Sequence, residues 1–162
     1  MKINQVPIAH DLVLIGGGHS HISVLKYFGM NPIPGLRISL INKNISSPYS
    51  GMLPGYISGT YLQNEVEINL PNLCQFSNSR LIVDEIIQLN TVDMSIVLKN
   101  RPPIYFDTVS INTGGEPDLK LISGAIKNAI PIKPISNLIN QLDKIKLKIS
   151  NLDNINISII GA

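Results

Sequence analysis

The strongest pattern along the chain is a short apolar run at residues 12–15, which leads into three glycines and then into a segment with apolar residues at helical spacing. This pattern predicts a buried strand, a tight turn and a helix over residues 19–28 that Gly29 ends. Residues 36–41 alternate between apolar and polar and then become wholly apolar, which predicts a second, parallel strand. Strand, helix and strand fit within about thirty residues, the size of one βαβ unit, whose right-handed crossover places the two strands side by side and parallel.

The remainder of the chain predicts a mixture of short strands and helices. Residues 42–59 are rich in glycine, proline and serine and predict a long loop, a type of connection that is more often functional than idle. The helix predicted at 135–149 carries a solvent-facing basic edge of Lys144, Lys146 and Lys148. The other predicted elements are strands at 65–68, 81–83, 86–89, 96–98, 108–111 and 155–160, of which the middle ones form an antiparallel meander, and a helical turn after Pro71.

These elements predict an α/β fold: a Rossmann-like parallel sheet with a βαβ unit and an inserted antiparallel β-meander. We expect residues 1–150 to form a dinucleotide-binding domain that is incomplete. The last predicted strand meets Gly161 as the first strand meets Gly16, and this parallel predicts that residues 151–162 are the first strand of a second, truncated Rossmann unit.

Composition excludes several classes of function. The chain has 13 basic and 11 acidic residues, and it has no basic patch with interleaved aromatic residues, which argues against a nucleic-acid partner. The single cysteine, Cys74, excludes an internal disulfide and a dithiol mechanism, and its apolar helical surroundings are typical of a small core residue. A lone thiol fits a reducing compartment, so we expect a cytoplasmic protein. The first apolar run is too short for a signal peptide or a membrane span.

The glycine turn indicates a site for a dinucleotide diphosphate. Gly16 would permit the tight turn, Gly18 would let the backbone approach the diphosphate, and the N–H groups that open the helix would point at the anion. His21 stands where the pattern usually has a third glycine. Asn42 ends the second strand, where dinucleotide-binding folds usually have a carboxylate that accepts the ribose hydroxyls, so we expect either weaker binding of the adenosine or a contribution from Lys43.

Other residues in these segments allow more than one interpretation. His19 and His21 point to different faces of the helix and no third ligand is apparent, so packing and hydrogen bonding beside the turn are favoured over metal binding. Tyr49 and Tyr61 could stack on a cofactor ring or anchor a loop, and the sequence leaves both alternatives open.

Four blocks of the sequence resemble a family of flavoproteins. They are GGGHSH at residues 16–21, PYSGMLPG at 48–55, SINTG at 110–114 and PIKPI at 131–135. On these blocks the chain resembles the N-terminal part of pyridine nucleotide-disulfide oxidoreductases, FAD-dependent enzymes akin to type II NADH dehydrogenases. The most similar member is the oxidoreductase segment fused to selenide, water dikinase, and its subfamily carries His-Ser-His at the third-glycine position.

The resemblance implies FAD as the bound dinucleotide and a role for each matched position. The diphosphate would lie on the turn, the adenosine at the end of the second strand and at the backbone of residue 86, and the isoalloxazine along the 48–54 loop, with a cation beside the ring. The implied cofactor-binding residues are Gly16, Gly17, Gly18, His19, Ser20, Asn42, Lys43, Met52, Leu53, Ile86, Thr113, Gly114 and Lys133.

The implied activity belongs to the whole enzyme. NAD(P)H would pass hydride to FAD, and the electrons would go on to an acceptor that the sequence does not identify. The flavin supplies the hydride chemistry, so no catalytic acid or base and no metal is assigned, and we expect little or no turnover by these 162 residues alone. Two other interpretations stay open: a nicotinamide-binding Rossmann dehydrogenase, and a non-catalytic remnant or interaction module.

Overall fold

A computed structural model describes residues 7–150 and 154–161. The described part contains nine strands and five α-helices, joined by turns and short 3-10 segments. The strands are β1 (His10–Ile15), β2 (Leu36–Asn42), β3 (Ser46–Pro48), β4 (Glu67–Asn69), β5 (Arg80–Val83), β6 (Ile86–Asn90), β7 (Ser95–Leu98), β8 (Ile104–Tyr105) and β9 (Thr108–Ile111). The helices are α1 (His19–Met30), α2 (Leu53–Ile57), α3 (Leu70–Phe76), α4 (Ala125–Asn128) and α5 (Ile135–Ile149).

A four-stranded parallel sheet in the order β5-β2-β1-β9 forms the centre of the fold. Alternate side chains of β1 enter different cores. Leu14 packs with Leu25 of α1 and Leu70 of α3 on one face, whereas Val13 packs with Ile96 and Phe106 on the other. Because both faces are covered, residues 12–15 of β1 and the last apolar residues of β2, Leu40 and Ile41, face the two cores without a polar residue between them. The predicted parallel βαβ unit is confirmed.

Two antiparallel units accompany the parallel sheet. Strands β6, β7 and β8 form the predicted meander, and β3 pairs with β4. The predicted strand at 81–83 joins the parallel sheet as β5 rather than the meander. The prediction of an unstructured loop over residues 42–59 is wrong, because β3, a 3-10 turn at Ser50–Met52 and α2 lie within it.

The predicted end of the first helix at Gly29 is also wrong. Helix α1 continues to Met30, with Asn31 at its C-cap. A side chain at position 29 would overlap the ring of Phe76 on α3, so this glycine allows two helices to approach closely and does not terminate one.

The helix predicted at 135–149 is confirmed as α5. Its Leu138, Ile139 and Leu142 form a third core with residues of α2, while Lys144, Lys146 and Lys148 lie exposed as predicted. Cys74 is buried in the α1–α3 core, and burial raises the pKa of its thiol to about 11, in agreement with the predicted core role.

Residues 154–161 have no assigned helix or strand and lie exposed. The strand predicted at 155–160 therefore does not form in the described part of the chain, because a strand needs a neighbour to pair with its backbone groups. The assignment of 151–162 to a second Rossmann unit remains a prediction, and residues 151–153 and 162 lie outside the described residues. In the described residues, no helix has both the length and the apolar character needed to cross a membrane.

Candidate functional site

A cavity of about 830 Å³ opens at the carboxyl ends of the parallel strands. This edge is where open α/β sheets bind their ligands, and the volume lies in the range of cofactor sites. Most of the predicted cofactor-binding residues line it. They are Gly16, Gly17, Gly18, His19, Asn42, Lys43, Ile86, Thr113, Gly114 and Lys133.

The glycine turn forms one wall of the cavity, and packing requires its glycines. Gly16 has a φ of +90°, and a side chain there would overlap the backbone carbonyl of Asn112. A side chain at Gly18 would overlap the Asn112 side-chain amide. The turn therefore lies directly against the segment that follows β9, and a larger residue at either position would require Asn112 to shift.

Hydrogen bonds from three directions fix the turn. Gly16 N–H donates to the carbonyl of Ile41 at 2.8 Å, and Gly17 N–H donates to Asn42 Oδ1 at 2.9 Å. The Ser47 hydroxyl donates to the carbonyl of Gly17 at 2.6 Å. The turn is held in place by β2 and β3 and does not depend on a ligand for its shape.

Helix α1 begins at the cavity with free backbone donors. Its N-cap is Gly18, which makes no side-chain cap, and its first turn carries no acidic residue. The first N–H groups of a helix have no partner within the helix and carry its positive dipole end. Because this 12-residue helix starts on the cavity wall, the arrangement can bind an anionic group.

At the end of β2, the polar side chains are engaged by other groups of the protein. Asn42 accepts from Gly17 and donates from Nδ2 to the carbonyl of Asn44 at 2.8 Å. Lys43 lies 2.9 Å from Glu85, whose other oxygen lies 3.1 Å from Lys99. The hydrogen bond to Glu85 raises the pKa of Lys43, and the same bond lowers the pKa of Glu85.

Asp84 supplies a carboxylate to the same end of the cavity, but its oxygens are engaged. It accepts from Glu85 N–H at 2.7 Å and from the backbone N–H and side-chain amide of Asn100 at 3.2 and 3.0 Å. Burial acts to raise the pKa of Asp84, and these hydrogen bonds outweigh it, so the pKa lies below its usual value. The charge is used to fix the junction of β5, β6 and β7.

The two histidines of the glycine turn have different surroundings. His21 is 2% exposed, with Nδ1 2.7 Å from the carbonyl oxygen of Gly16 and Nε2 2.9 Å from the hydroxyl of Ser110. Burial lowers its pKa, although the bond to Gly16 acts in the opposite direction. His19 is exposed and stacks on Tyr49, with ring centroids 5.1 Å apart. As predicted, His21 packs and hydrogen-bonds beside the turn, and the two residues lie on different faces of the helix.

Three predicted site residues lie off the cavity wall. The side chain of Ser20 is exposed on α1, and Met52 and Leu53 pack in the core with α5 instead of lining the cavity. The two tyrosines also separate. Tyr49 lines the cavity, whereas the ring of Tyr61 covers Gly55 away from it and anchors that turn.

Asn112 is a cavity residue that the sequence prediction of the site omitted. Its backbone N–H donates to the carbonyl of Ile15 at 2.8 Å, which places its amide against Gly18. Its Nδ2 is a buried side-chain nitrogen that has no hydrogen-bond partner among the described residues. The available signal was its position directly after β9, at the edge of the sheet where the cavity lies.

The chain is similar to one curated protein along most of its length. It is 28% identical over 158 residues to the NADH dehydrogenase-like protein YutJ of Bacillus subtilis (strain 168). The match covers 93% of this chain and 41% of the relative, so the chain spans about two fifths of that protein. No protein-family model matches the chain.

Solved structures of several oxidoreductases share its fold. The sulfide:quinone oxidoreductase of Aquifex aeolicus superposes with a TM-score of 0.73 at 21% identity, over 88% of this chain and 33% of the enzyme. NDH2 of Plasmodium falciparum in complex with NADH gives 0.70 at 20% identity, over 91% and 31%. The NADH oxidase of Lactobacillus brevis gives 0.67 at 14% identity, over 85% and 32%. The chain therefore has an α/β Rossmann-type fold, which it shares with about a third of each of these oxidoreductases.

Proposed function

We propose that this chain is the FAD-binding portion of an NAD(P)H-dependent flavin oxidoreductase. In the whole enzyme, hydride would pass from the nicotinamide to the flavin, and the electrons would then pass to an acceptor of a class still to be identified. The observation that carries the proposal is the uncapped start of α1 on the wall of a cavity of about 830 Å³.

The residues present fit a dinucleotide diphosphate. The backbone N–H groups of Gly18, His19 and Ser20 open α1, and they would donate to the phosphate oxygens. The side chain of Ser20 is not needed for this role, since only its backbone takes part. Asn42 holds the turn by accepting from Gly17, so these donors stay oriented before any ligand arrives.

At the adenosine end, the chain departs from the usual carboxylate arrangement. Asn42 uses both ends of its amide within the protein, and Lys43 is paired with Glu85. We propose that backbone groups near Ile86 and the segment around Thr113 and Gly114 contact the adenosine. The missing charged acceptor favours a weaker grip on this ribose than in flavoproteins that carry it.

At the other end, Lys133 provides a positive charge. It lines the cavity together with Pro134 and Ile135 at the start of α5. A flavin bound there would supply the hydride-accepting chemistry, while Lys133 would stabilise negative charge on the ring by Coulomb attraction. Tyr49, which also lines the cavity and stacks on His19, would pack against a bound ring.

The similarity to the NADH dehydrogenase-like protein and the presence of NADH in two structures with this fold support the nicotinamide part of the proposal. We propose that residues 151–162 begin the domain that binds this second nucleotide, and that 162 residues alone turn over slowly or not at all. A cytoplasmic location and a downstream selenide, water dikinase domain also remain proposals. The reading frame after the codon for Ala162 tests the last of these.

The direct test is to purify the chain without added cofactor, record its visible spectrum and then titrate it with FAD, riboflavin and NADH separately. The protein contains no tryptophan, so quenching of flavin fluorescence is the appropriate signal for the flavins, and calorimetry serves for NADH. We expect FAD to bind and riboflavin, which lacks the diphosphate, to bind at least about tenfold more weakly.

Each competing interpretation predicts a different result in this test. Binding of NADH without binding of FAD would identify a nicotinamide-binding Rossmann domain and contradict the proposal. A colourless protein that binds none of the three compounds would favour the non-catalytic remnant or interaction module. Equal affinity for FAD and riboflavin would show that the glycine turn does not hold the diphosphate.

A further inference from the structure

His21 connects three parts of the fold that meet at the cavity. Its backbone belongs to α1, its Nδ1 lies 2.7 Å from the carbonyl oxygen of Gly16 in the turn, and its Nε2 lies 2.9 Å from the Ser110 hydroxyl on β9. The side chain is among the most deeply buried of the larger residues. A buried polar ring with partners at both nitrogens is a specific link and not a space-filling residue.

The partners of His21 determine its protonation state. A backbone carbonyl can only accept, so Nδ1 carries the proton that bonds to Gly16. Burial lowers the pKa of the imidazole, which leaves Nε2 free to accept from the Ser110 hydroxyl. His21 and Ser110 therefore form one directed hydrogen-bond chain from β9 to the glycine turn.

The hydrogen bonds of His21 to Gly16 and Ser110 join the glycine turn to β9. Ser110 pairs in register with Leu14 of β1, and Asn112, two residues further on, lies against Gly16 and Gly18 with no room for a side chain between them. A small shift of β9 along β1 would therefore push Asn112 into the turn or leave a gap. The His21–Ser110 hydrogen bond opposes that shift close to the contact between Asn112 and the glycine turn.

We propose that His21 is a positioning residue that acts through Ser110 to set the spacing between the glycine turn and residues 112–116, and thereby the affinity for a dinucleotide diphosphate. This inference rests on the proposed function. The third-glycine position therefore has a role in this chain. The imidazole of His21 links the glycine turn to β9 by hydrogen bonds, whereas a glycine would allow only close packing.

The test is a double-mutant cycle on the whole chain with His21→Asn and Ser110→Ala. Asparagine keeps a donor near the position of Nδ1 and so retains the bond to Gly16, but it is too short to reach Ser110. Each single variant should bind FAD, and ADP as the diphosphate probe, about tenfold more weakly, because each loses the same hydrogen bond. The double variant should be no weaker than either single variant.

Two controls separate positioning from folding. Ser23→Ala removes an exposed hydroxyl on the same helix, and it should leave both affinities unchanged. The circular dichroism bands of bound FAD in the visible region should change in the two cycle variants at saturating cofactor, while far-ultraviolet spectra stay the same. A purely structural role would move the urea midpoint and leave the bands of the bound flavin as they are.

The outcomes distinguish this inference from the proposed function. If FAD and ADP bind the unaltered chain but the two losses add in the double variant, or neither single variant weakens binding, the positioning role is overturned and the function stands. If the chain binds NADH and not FAD, the proposed flavin function fails, and the same cycle run with NADH decides the role of His21. If neither dinucleotide nor ADP binds, both proposals fail.

Discussion

The glycine-turn wall of the cavity and the segment at residues 113–133, which lines the cavity at residues 113–116 and at Lys133, differ in how the protein holds them. The turn is bonded to β2, β3 and α1 through Ile41, Asn42, Ser47 and His21. In the described part of the chain, the hydrogen bonds found for residues 113–133 all stay within that segment. The glycine turn is therefore preorganised, whereas the 113–133 segment has only local support.

The same contrast appears in the burial of apolar residues. Val13, Leu14 and Leu40 of the central strands are at most 1% exposed, whereas Leu121 is 84% exposed. Other apolar residues of the 113–133 segment are exposed as well: Ile122, Ile126, Ile130 and Ile132. We therefore expect the stability of the chain to reside in the sheet and the three cores, and the exposed apolar residues of the 113–133 segment to contribute little to it.

The sharpest test of this contrast is one substitution made in both regions. Leu40→Ala should lower the free energy of unfolding by about 2–5 kcal/mol, because it leaves a cavity in a closed core. Leu121→Ala should change it by less than about 0.5 kcal/mol. Urea denaturation followed by far-ultraviolet circular dichroism measures both free energies. A comparable loss in the two variants would contradict the contrast between the buried core and the exposed 113–133 segment.

Two glycines with positive φ allow a second matched comparison. Gly16 and Gly114 have φ of +90° and +78°, but only Gly16 faces a backbone carbonyl that a side chain would overlap. Gly16→Ala should cost about 2–4 kcal/mol from strain and overlap together, whereas Gly114→Ala should cost about 1–2 kcal/mol from backbone strain alone. The same denaturation assay applies, and equal costs would show that Asn112 does not press on the turn.

We expect the buried side chain of His21 to make the free energy of unfolding depend on pH. Burial lowers the pKa of His21 in the folded chain below its usual 6.5, so the unfolded chain binds the proton more readily. Stability should be full above about pH 6.5 and should fall as the pH decreases towards the folded-state pKa. Urea midpoints measured between pH 7.5 and 5.5 should show this loss, and His21→Asn should remove most of it. An unchanged slope in that variant would assign the effect to another group.

The smallest expected effect is at Lys133, which lines the cavity at the end of the 113–133 segment. Lys133→Met should lower the reduction potential of FAD bound to the chain, because a positive charge near the ring favours the more negative reduced form. A shift on the order of 20–30 mV corresponds to about 1 kcal/mol for a two-electron couple. Lys127→Met, on the same stretch of chain but outside the cavity, is the matched control. Identical potentials in all three proteins would remove Lys133 from the flavin ring.

Local sequence patterns predicted the elements around the glycine turn and the helix α5. The apolar runs of β1 and β2, the glycine turn between them and the amphipathic spacing of α5 are all set by neighbouring residues, and each lies where it was predicted. Strand β8 has two residues, too few for any periodicity, and it forms only because β7 lies beside it. The elements within residues 42–59 are likewise short and depend on pairing with β4 and packing on α5.

Long-range contacts explain what the sequence did not predict. From the local sequence, Gly29 predicts the end of a helix. Its contact with the ring of Phe76 on α3 shows that it instead allows the two helices to pack closely. Asn112 and His21 acquire their roles from contacts between the turn and β9, which lie far apart in the sequence. Met52 and Leu53 were predicted at the cavity from the resemblance of their loop, but the core with α5 takes up their apolar side chains.

The central claim is that the backbone amides at the start of α1 bind the diphosphate of FAD. Proton–nitrogen correlation spectra of the labelled chain, recorded with FAD and with riboflavin, test it residue by residue. We predict that FAD produces the largest shifts at the amides of Gly18, His19 and Ser20, and that riboflavin leaves these three signals in place. Saturation with FAD while those amides remain unshifted would contradict the account.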